Sequence, residues 1–381
     1  MSASPSFLND IVLQGEICRQ LPVVGEYSWN MPSSAALTKA KKRLADVEKG
    51  VFAIQSEQIR SETQEIIDGI HANIQKGFAR LKPTIATIFS GFGGVEAGAV
   101  GAGLMPIWAI ESDKEIATVF RQNHQCRLIE KDVRDVNPDG LDSPNVLWCS
   151  PPCQNWSIAR SNRKLKQKED AEIAMSIIPF LTMLKPEFFI LENVSGFRKS
   201  KSYFEILLCL SRLGYFVSIQ MLDAADFGVP QHRKRLILIA KRGGLIPPTF
   251  GGWAHVSWYD ALGDMIADLP KTELTPSQHE HVRPEGDILI SHGRSGVNGN
   301  YTSRLRSRPS FTITCSLGRS YAKCRVGGKI RNLTPRAIAR LQSFDDGFIL
   351  PEKKRVAFKG LGNAVPPLFV KRLLEGLMLE H

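Results

Sequence analysis

The feature that most constrains the fold is an apolar run followed by a glycine-rich turn. Residues Thr84–Phe89 have the pattern of a buried strand, and Ser90–Gly94 follow as a tight turn. A helix is predicted over 95–104, followed by a strand over 105–110 that leads into Glu111. Another helix is predicted over 114–123, and a third strand over 126–130 leads to Asp132. This order is typical of the nucleotide-binding half of a doubly wound sheet. We therefore predict an α/β fold built on a Rossmann-like sheet.

The turn and the two acids predict which nucleotide is bound. The spacing Gly91-x-Gly93-Gly94 lacks the pattern of a dinucleotide fingerprint. Glu111 suits the two hydroxyls of a ribose, and Asp132 suits an exocyclic amine because a carboxylate only accepts hydrogen bonds. An adenosine without a pyrophosphate fits this set better than NAD does.

A second group of residues lies around a cysteine. The apolar run Asn145–Trp148 reads as a strand, and the prolines in Cys149-Ser-Pro-Pro-Cys153 stiffen the turn that follows it. Residues 158–168 then carry five arginines or lysines and no acid. A fixed thiol beside a basic segment suits a nucleophile that acts on a polyanion. A single cysteine is equally often a small buried apolar residue.

Three charged residues are predicted to share a cleft with Cys153. Glu192 follows four apolar residues directly, so we expect it to be partly buried and able to carry a proton, although an exposed carboxylate at a strand end is the alternative. Arg233 and Arg235 open the apolar strand 236–240 and need acceptors there.

The basic charge is concentrated in the second half of the chain. The net charge is +11, and residues 241–340 alone contribute +8. From Ile288 to Phe344 there are eleven arginines or lysines and no acid, which favours a phosphate backbone as partner over an ordinary solvated surface. Residues 241–307 are rich in glycine and proline with short strand-like pieces, so we predict a smaller second lobe there.

The N-terminal extension carries less information. Residues 35–81 show two stretches of helical periodicity, which fit a helical hairpin on the main domain or a dimerising coil. The predicted division is 1–82 for this extension, 83–240 for a catalytic nucleotide-binding domain, 241–340 for the second lobe and 341–381 for a return to the first domain. In that return, Gly362-Asn363 is expected to form a turn that opens the helix 368–378 and closes the nucleotide pocket.

Composition also indicates the cellular compartment. The seven cysteines show no paired CxxC spacing, so we expect a reducing compartment and no structural metal. The chain shows no secretion signal and no apolar run of the roughly 20 residues that a membrane span needs, so a cytoplasmic protein is expected.

Taken together, these segments resemble the cytosine-5 DNA methyltransferase family. The motifs occur in family order: Phe89-Ser-Gly-Phe-Gly-Gly94, Glu111, Asp132, Pro151-Pro-Cys-Gln154, Glu192-Asn-Val194, Gln231-x-Arg-x-Arg235, Arg331-x-Leu-Thr-Pro-Arg336 with Arg340-Leu-Gln-Ser-Phe344, and Gly362-Asn-Ala-Val365. Eight motifs in order are a specific signal. The 83 residues before Thr84 depart from the family pattern, in which the glycine turn usually lies near the start.

The resemblance implies that S-adenosylmethionine is the methyl donor, S-adenosylhomocysteine the product, and that no metal takes part. Phe89 and the glycine turn would hold the donor, with Glu111 at its ribose. Asp132 and Val133 would contact its adenine, and Asn363 would close the pocket.

The resemblance also implies the catalytic roles. Cys153 would be the nucleophile that adds to carbon 6 of a flipped-out cytosine, and Glu192 would hold a proton at the base. Arg235 would contact the cytosine carbonyl, and Arg233 a phosphate or the closed loop.

The implied substrate is double-stranded DNA, bound by a monomer. Gln154 and Ser157 would lie on the loop that closes over the target, Thr314 would touch the DNA backbone, and the lobe at 241–307 would read the sequence. A restriction-modification system is the implied context, and the N-terminal helices are a candidate element for protein interaction. Two alternatives stay open: a tRNA cytosine-5 methyltransferase with the same catalytic domain, and a non-catalytic DNA-binding relative.

Overall fold

The computed structural model describes residues 82–152, 172–247, 251–282, 286–294, 301–315 and 322–378. The N-terminal extension predicted for 1–82 and the loop that carries Cys153 lie outside these residues, apart from Lys82.

The larger sheet has seven strands in the spatial order β3-β2-β1-β4-β5-β7-β6. Its strands are β1 (Thr84–Ile88), β2 (Met105–Ile110), β3 (Arg127–Ile129), β4 (Val146–Cys149), β5 (Phe188–Asn193), β6 (Tyr215–Asp223) and β7 (Lys234–Arg242). Strand β7 runs antiparallel to both of its neighbours, and the other pairings are parallel. The strand order reverses between β1 and β4, so the crevice beyond their carboxyl ends is where such a sheet binds its ligands.

The helices pack on both faces of this sheet and around the second lobe. They are α1 (Gly94–Gly101), α2 (Lys114–Asn123), α3 (Ile177–Leu184), α4 (Lys201–Arg212), α5 (Trp258–Leu262), α6 (Pro276–His281), α7 (Pro335–Leu341), α8 (Lys354–Asn363) and α9 (Pro367–Met378).

Successive residues of each strand face opposite sides of the sheet, and both sides are buried, which explains why the strand sequences are apolar throughout. In β1, Ile85 belongs to a core that includes residues of α1 and α9, whereas Ala86 belongs to a core that includes residues of α3 and α4. In β4, Trp148 and Leu147 divide in the same way. Both faces are covered, which is the arrangement expected of parallel strands with continuous apolar runs.

The second lobe contains a four-stranded antiparallel sheet in the order β11-β10-β8-β9. Its strands are β8 (Ile288–Arg294), β9 (Tyr301–Leu305), β10 (Lys323–Val326) and β11 (Lys329–Asn332). A third apolar core joins this lobe to the glycine turn, because Phe92, Trp258, Leu289 and Leu361 all belong to it. The predicted α/β fold with a smaller, mostly β lobe is therefore confirmed. In the described part of the chain no helix is long and apolar enough to span a membrane.

One local prediction is wrong. Gly362-Asn363 does not form a turn ahead of the last helix, because both residues are the final turn of α8. The connection to α9 is made by the three residues that follow Asn363.

Candidate active site

The glycine turn leaves β1 through an unusual backbone conformation. Phe89, Gly91 and Gly93 have φ angles of 66°, 60° and 83°. The N–H groups of Phe89 and Ser90 both donate to the carbonyl of Ile110, at 3.0 and 3.1 Å. The chain is thereby turned tightly over the end of β2. Phe89 and Gly91 remain partly accessible there, whereas Ser90, Gly93 and Gly94 are buried.

Glu111 is fixed against this turn. Its Oε2 accepts from the Gly91 N–H at 2.9 Å, and its Oε1 accepts from the Asp113 N–H at 2.8 Å. Burial raises the pKa of the Glu111 carboxyl. Each carboxylate oxygen keeps a second lone pair, so Glu111 still has acceptors for a diol.

Asp132 offers a polar surface just after the third strand, and its neighbour Val133 offers an apolar one. Asp132 Oδ1 accepts from the Arg134 N–H at 2.9 Å, and Arg134 Nη2 lies 2.7 Å from Asp132 Oδ2. This hydrogen bond lowers the pKa of Asp132. Val133 is buried with Ile110, and the ring of Phe89 packs against the same core. A carboxylate beside an apolar wall is a set that fits an adenine edge and face.

The C-terminal helices close over the turn. A Cβ on Gly94 would lie 2.1 Å from the Val365 carbonyl, and a Cβ on Gly360 would lie 2.2 Å from the Phe92 ring. Only glycine at both positions permits this approach. Asn363, at the end of α8, is exposed next to this contact. The predicted pocket residues of the two chain segments are thus neighbours.

An ion pair joins helix α8 to Asp113, in the short segment that follows β2. Lys359 of α8 donates to Asp113, whose other oxygen caps α2 by accepting from the Glu115 and Ile116 N–H groups. Asp113 lies two residues from Glu111, so this ion pair holds α8 close to the predicted ribose site.

A histidine that sequence reasoning missed supports the turn from beneath. His124 Nε2 lies 3.1 Å from the carbonyl of Phe92, and a Cβ on Gly93 would overlap the imidazole at 2.0 Å. The ring also packs on Phe120, with centroids 4.7 Å apart. Burial lowers the pKa of His124, which favours the neutral form with its proton on Nε2.

A buried carboxyl, also missed, lies under the start of α1. Glu96 is 1% exposed, and its Oε1 accepts from the Thr87 hydroxyl, which also contacts Ser90 Oγ at 2.6 Å. Within the described part of the chain, Glu96 Oε2 meets no hydrogen-bond donor. Burial raises the pKa of Glu96 to about 7. No sequence signal pointed to it, since an acid in a first helical turn is usually exposed.

The predicted catalytic pair lies on neighbouring strands. Glu192 is in β5, inside the strand rather than after it, and Arg235 is in β7. Arg235 Nε lies 2.9 Å from Glu192 Oε1, in an ion pair rather than an aligned hydrogen bond. Both side chains are largely buried, and they line one crevice with Val365 and Pro366. The crevice therefore holds a fixed carboxylate beside a fixed guanidinium.

The loop that leads to Cys153 is held at its start. Asn193 Nδ2 donates to the carbonyl of Pro151 at 3.1 Å. Asn193 directly follows Glu192, and Pro151 precedes Cys153 by two residues, so this hydrogen bond ties the start of the cysteine segment to the strand that carries Glu192. Cys153, Gln154 and Ser157 themselves lie outside the described residues.

Arg233 lines the same crevice as Glu192 and Arg235, as predicted, and its guanidinium is held by partners inside the protein. Its side chain is 3% exposed, and Nη1 donates to the carbonyls of Ile313 and Gly362, at 3.1 and 3.3 Å. Both acceptors are backbone carbonyls of the protein. The backbone of Thr314 lies against Gly362, where a Cβ would be 2.3 Å from the Thr314 carbonyl carbon. Arg233 thus joins the segment of exposed Thr314 to the segment of Asn363.

Two buried amides reinforce the same junction. Gln231 Oε1 accepts from the Ile313 N–H at 2.7 Å, and its Nε2 donates to Gln342 Oε1 at 2.8 Å. Gln342 Nε2 in turn donates to the Leu361 carbonyl at 2.5 Å. Both glutamines occur in the quoted motifs, but only the structure shows that they meet.

The basic stretch 288–344 presents less free charge than its sequence predicts. Seven of the nine bases whose side chains the structure describes are used within the protein: Arg304 with Ser303, Arg306 with Asp287, Lys323 with Gln278, Arg325 with Gly286, Arg331 with Leu269, Arg336 with Phe348, and Arg340 with Asp264 and Asp346. Among the bases without such a use in the described residues, Arg308 and Lys329 are exposed. The basic surface without partners inside the protein is accordingly narrower than the whole stretch.

Comparison with known proteins extends over the same region. Residues 84–378 match the family of C-5 cytosine-specific DNA methylases. The chain is 30% identical over 329 residues to the type II methyltransferase M.FnuDI of Fusobacterium nucleatum, covering 77% of this chain and 94% of that protein. It is 28% identical over 330 residues to the type II methyltransferase M1.HphI of Haemophilus parahaemolyticus, covering 77% and 86%.

Solved structures share the fold. The Entamoeba histolytica methyltransferase EhMeth aligns with a TM-score of 0.59 at 17% identity, over 79% of this chain and 99% of that one. The S. pombe Dnmt2 methyltransferase aligns with a TM-score of 0.54 at 17% identity, over 79% and 100%. At this level of identity the likeness concerns the fold alone.

Proposed function

Because the chain belongs to the family of C-5 cytosine-specific DNA methylases, we propose that it methylates carbon 5 of cytosine within a specific duplex DNA sequence. The donor is S-adenosylmethionine, and the reaction proceeds through base flipping and a covalent adduct of Cys153. The observation that carries the proposal is the pairing of Glu192 with Arg235 beside the anchored start of the Cys153 loop.

The crevice chemistry accounts for the residue types. Carbon 5 of cytosine is a weak nucleophile because its ring is aromatic. Addition of the Cys153 thiolate at carbon 6 removes the aromaticity and makes carbon 5 enamine-like. A proton held by Glu192 near ring nitrogen 3 stabilises the adduct, and Arg235 contacts the cytosine carbonyl while it keeps Glu192 in place. Carbon 5 then takes the methyl group that the bound donor would supply. Loss of the carbon 5 proton to solvent finally restores the double bond between carbons 5 and 6 and expels the Cys153 thiolate.

The residues present fit S-adenosylmethionine, which supplies an electrophilic methyl group when bound. Glu111 offers free acceptors to the ribose hydroxyls, and Asp132 with Val133 offers an acceptor and an apolar surface to the adenine. The backbone of the Gly91–Gly94 turn allows close approach, and Asn363 closes the pocket. No metal is required by this set.

Flipping the base out of the duplex costs a few kcal/mol, which phosphate contacts offset. Thr314 is exposed and is proposed to contact the DNA backbone, with Gln154 and Ser157 on the loop that closes over the base. We assign Arg233 a positioning role, because its guanidinium joins the Thr314 segment to the Asn363 segment. The proposed division is 83–240 with 341–381 for catalysis and 241–340 for DNA binding.

Methyl transfer from labelled donor to duplex DNA and to tRNA tests the substrate class. We expect the full-length protein to label duplex DNA, at cytosines in one sequence context, and not tRNA. Labelling of tRNA alone would favour the RNA methyltransferase, and binding of DNA without transfer would favour a non-catalytic relative.

A further inference from the structure

A cleft of about 610 Å³ opens within the second lobe, between residues of the segment 255–260 and residues around Asp287 and Arg306. His255 lies on one side of it, with Nε2 2.8 Å from Asp226 Oδ1. Asp226 follows the carboxyl end of β6, which lies at the same sheet edge as Glu192, because β5 and β6 run parallel. The contact between His255 and Asp226 thus connects the cleft to the sheet edge at which Glu192 lies.

An arginine of the second lobe lies in this cleft in a fixed orientation. The Cζ atom of Arg306 lies 3.5 Å from the centroid of the Tyr259 ring, so the guanidinium covers the face of the ring. Arg306 Nη1 lies 3.3 Å from Asp287 Oδ2. The side chain nevertheless remains 52% exposed and lines the cleft, so the plane of the guanidinium is set while part of the fork stays accessible.

Both supports of Arg306 are themselves tied to the lobe. Asp287 Oδ1 accepts from the Gly327 N–H at 2.8 Å, and the Asp287 carbonyl accepts from the Arg306 N–H at 3.2 Å. Tyr259 follows Trp258, whose indole N–H donates to the Leu305 carbonyl at 3.0 Å. An exposed ion pair adds little to stability, so the effect of this arrangement is orientation.

We propose that Arg306 reads a guanine in the recognition sequence, by donating two hydrogen bonds to its O6 and N7 atoms in the major groove. The planar fork of arginine matches those two acceptors, and no other base presents them in that geometry. Tyr259 and Asp287 hold the fork before DNA arrives, so little conformational freedom is lost on binding. The inference rests on the proposed function, since it names a residue that selects the DNA substrate.

The sequence context of methylation tests this assignment. The full-length protein and its Arg306→Ala, Arg306→Lys and Arg308→Ala variants would each methylate a plasmid library of random sequence, followed by bisulfite sequencing. The wild type should require a guanine at one position besides the target pair. Arg306→Ala should accept other bases there, with discrimination reduced by about tenfold or more. Arg306→Lys keeps the charge but loses the fork, so it should show the same relaxation.

Arg308→Ala is the matched control, because Arg308 is an exposed arginine two residues away. It should retain the wild-type consensus even if overall methylation is slower. A wild-type consensus that holds no such guanine, or the same preference in both Arg306 variants, would overturn the assignment. If Arg306→Ala fails to fold in a thermal melt, Arg306→Lys decides the question. Absence of 5-methylcytosine with the wild type would instead reject the proposed function.

Discussion

Arg235 Nε lies 2.9 Å from Glu192 Oε1, between two adjacent antiparallel strands of the central sheet. The carboxylate is therefore held in one orientation before any base arrives. A charge that is 8% exposed also depends on its partner, because an unpaired buried charge is strongly destabilising.

Replacement of Glu192 by Gln should slow methyl transfer by about 100-fold or more, the usual loss when a positioned proton carrier is removed. The affinity for S-adenosylmethionine should stay unchanged, because Glu192 is not among the residues proposed to hold the donor. Single-turnover transfer and calorimetric donor binding measure the two effects separately. A Glu192→Gln protein with near wild-type transfer would contradict the role assigned to this residue.

Replacement of Gly94 by Ala should destabilise the protein by about 3 kcal/mol and abolish donor binding. The new Cβ would lie 2.1 Å from the Val365 carbonyl, a backbone atom that cannot move aside alone. Gly101→Ala is the matched control on the same helix, since its Cβ would meet only the flexible Lys371 side chain at 3.2 Å. Alanine favours a helix over glycine by about 1 kcal/mol, so this control should be neutral or stabilising. Equal effects of the two substitutions in urea unfolding would contradict the packing argument.

Replacement of His124 by Leu should weaken S-adenosylmethionine binding by about fivefold, because the Phe92 carbonyl loses its donor under the glycine turn. His124→Gln keeps an N–H donor at a similar distance along the side chain and should retain most of the affinity. Calorimetry with S-adenosylhomocysteine distinguishes the two variants. If Leu and Gln bind equally well, His124 serves packing alone.

The pH dependence of stability should carry the signature of Glu96. Its pKa is raised from 4.5 to about 7 by burial, so between these values the folded chain keeps a proton that the unfolded chain has released. Stability should therefore fall as pH rises through this window, by roughly 3 kcal/mol in all. Glu96→Gln should remove this slope and raise the melting temperature at pH 8, whereas Glu352→Gln, on the exposed surface, controls for the lost charge. Parallel pH profiles for wild type and Glu96→Gln in denaturant unfolding would contradict the assignment.

Local sequence predicted the elements whose determinants are local. Strand β2 and helix α2 have the predicted bounds, since the apolar pattern is clear and Asp113 caps the helix. Helix α8 was missed because it contains Gly360 and Gly362, which are poor helix formers. It forms because those glycines allow contact with Phe92 and with the Thr314 segment.

The basic lobe shows a second limit of sequence reasoning. Its charge suggested one continuous phosphate-binding face, yet Arg340 pairs with Asp264 and Asp346. One of these acids lies 76 residues away in the chain, so no local pattern reveals the pairing. The same holds for His124 and Glu96, whose roles depend on how the glycine turn packs.

The most direct test of the central claim is covalent capture on a duplex that carries 5-fluorocytosine at the target position. Fluorine replaces the proton that must leave carbon 5, so the Cys153 adduct cannot resolve. With the methyl donor present, the wild type should give a denaturant-resistant protein–DNA species that peptide mapping assigns to Cys153, and Cys153→Ser should give none. A folded enzyme that methylates the unmodified duplex but forms no such species, or forms it through another residue, would contradict the account.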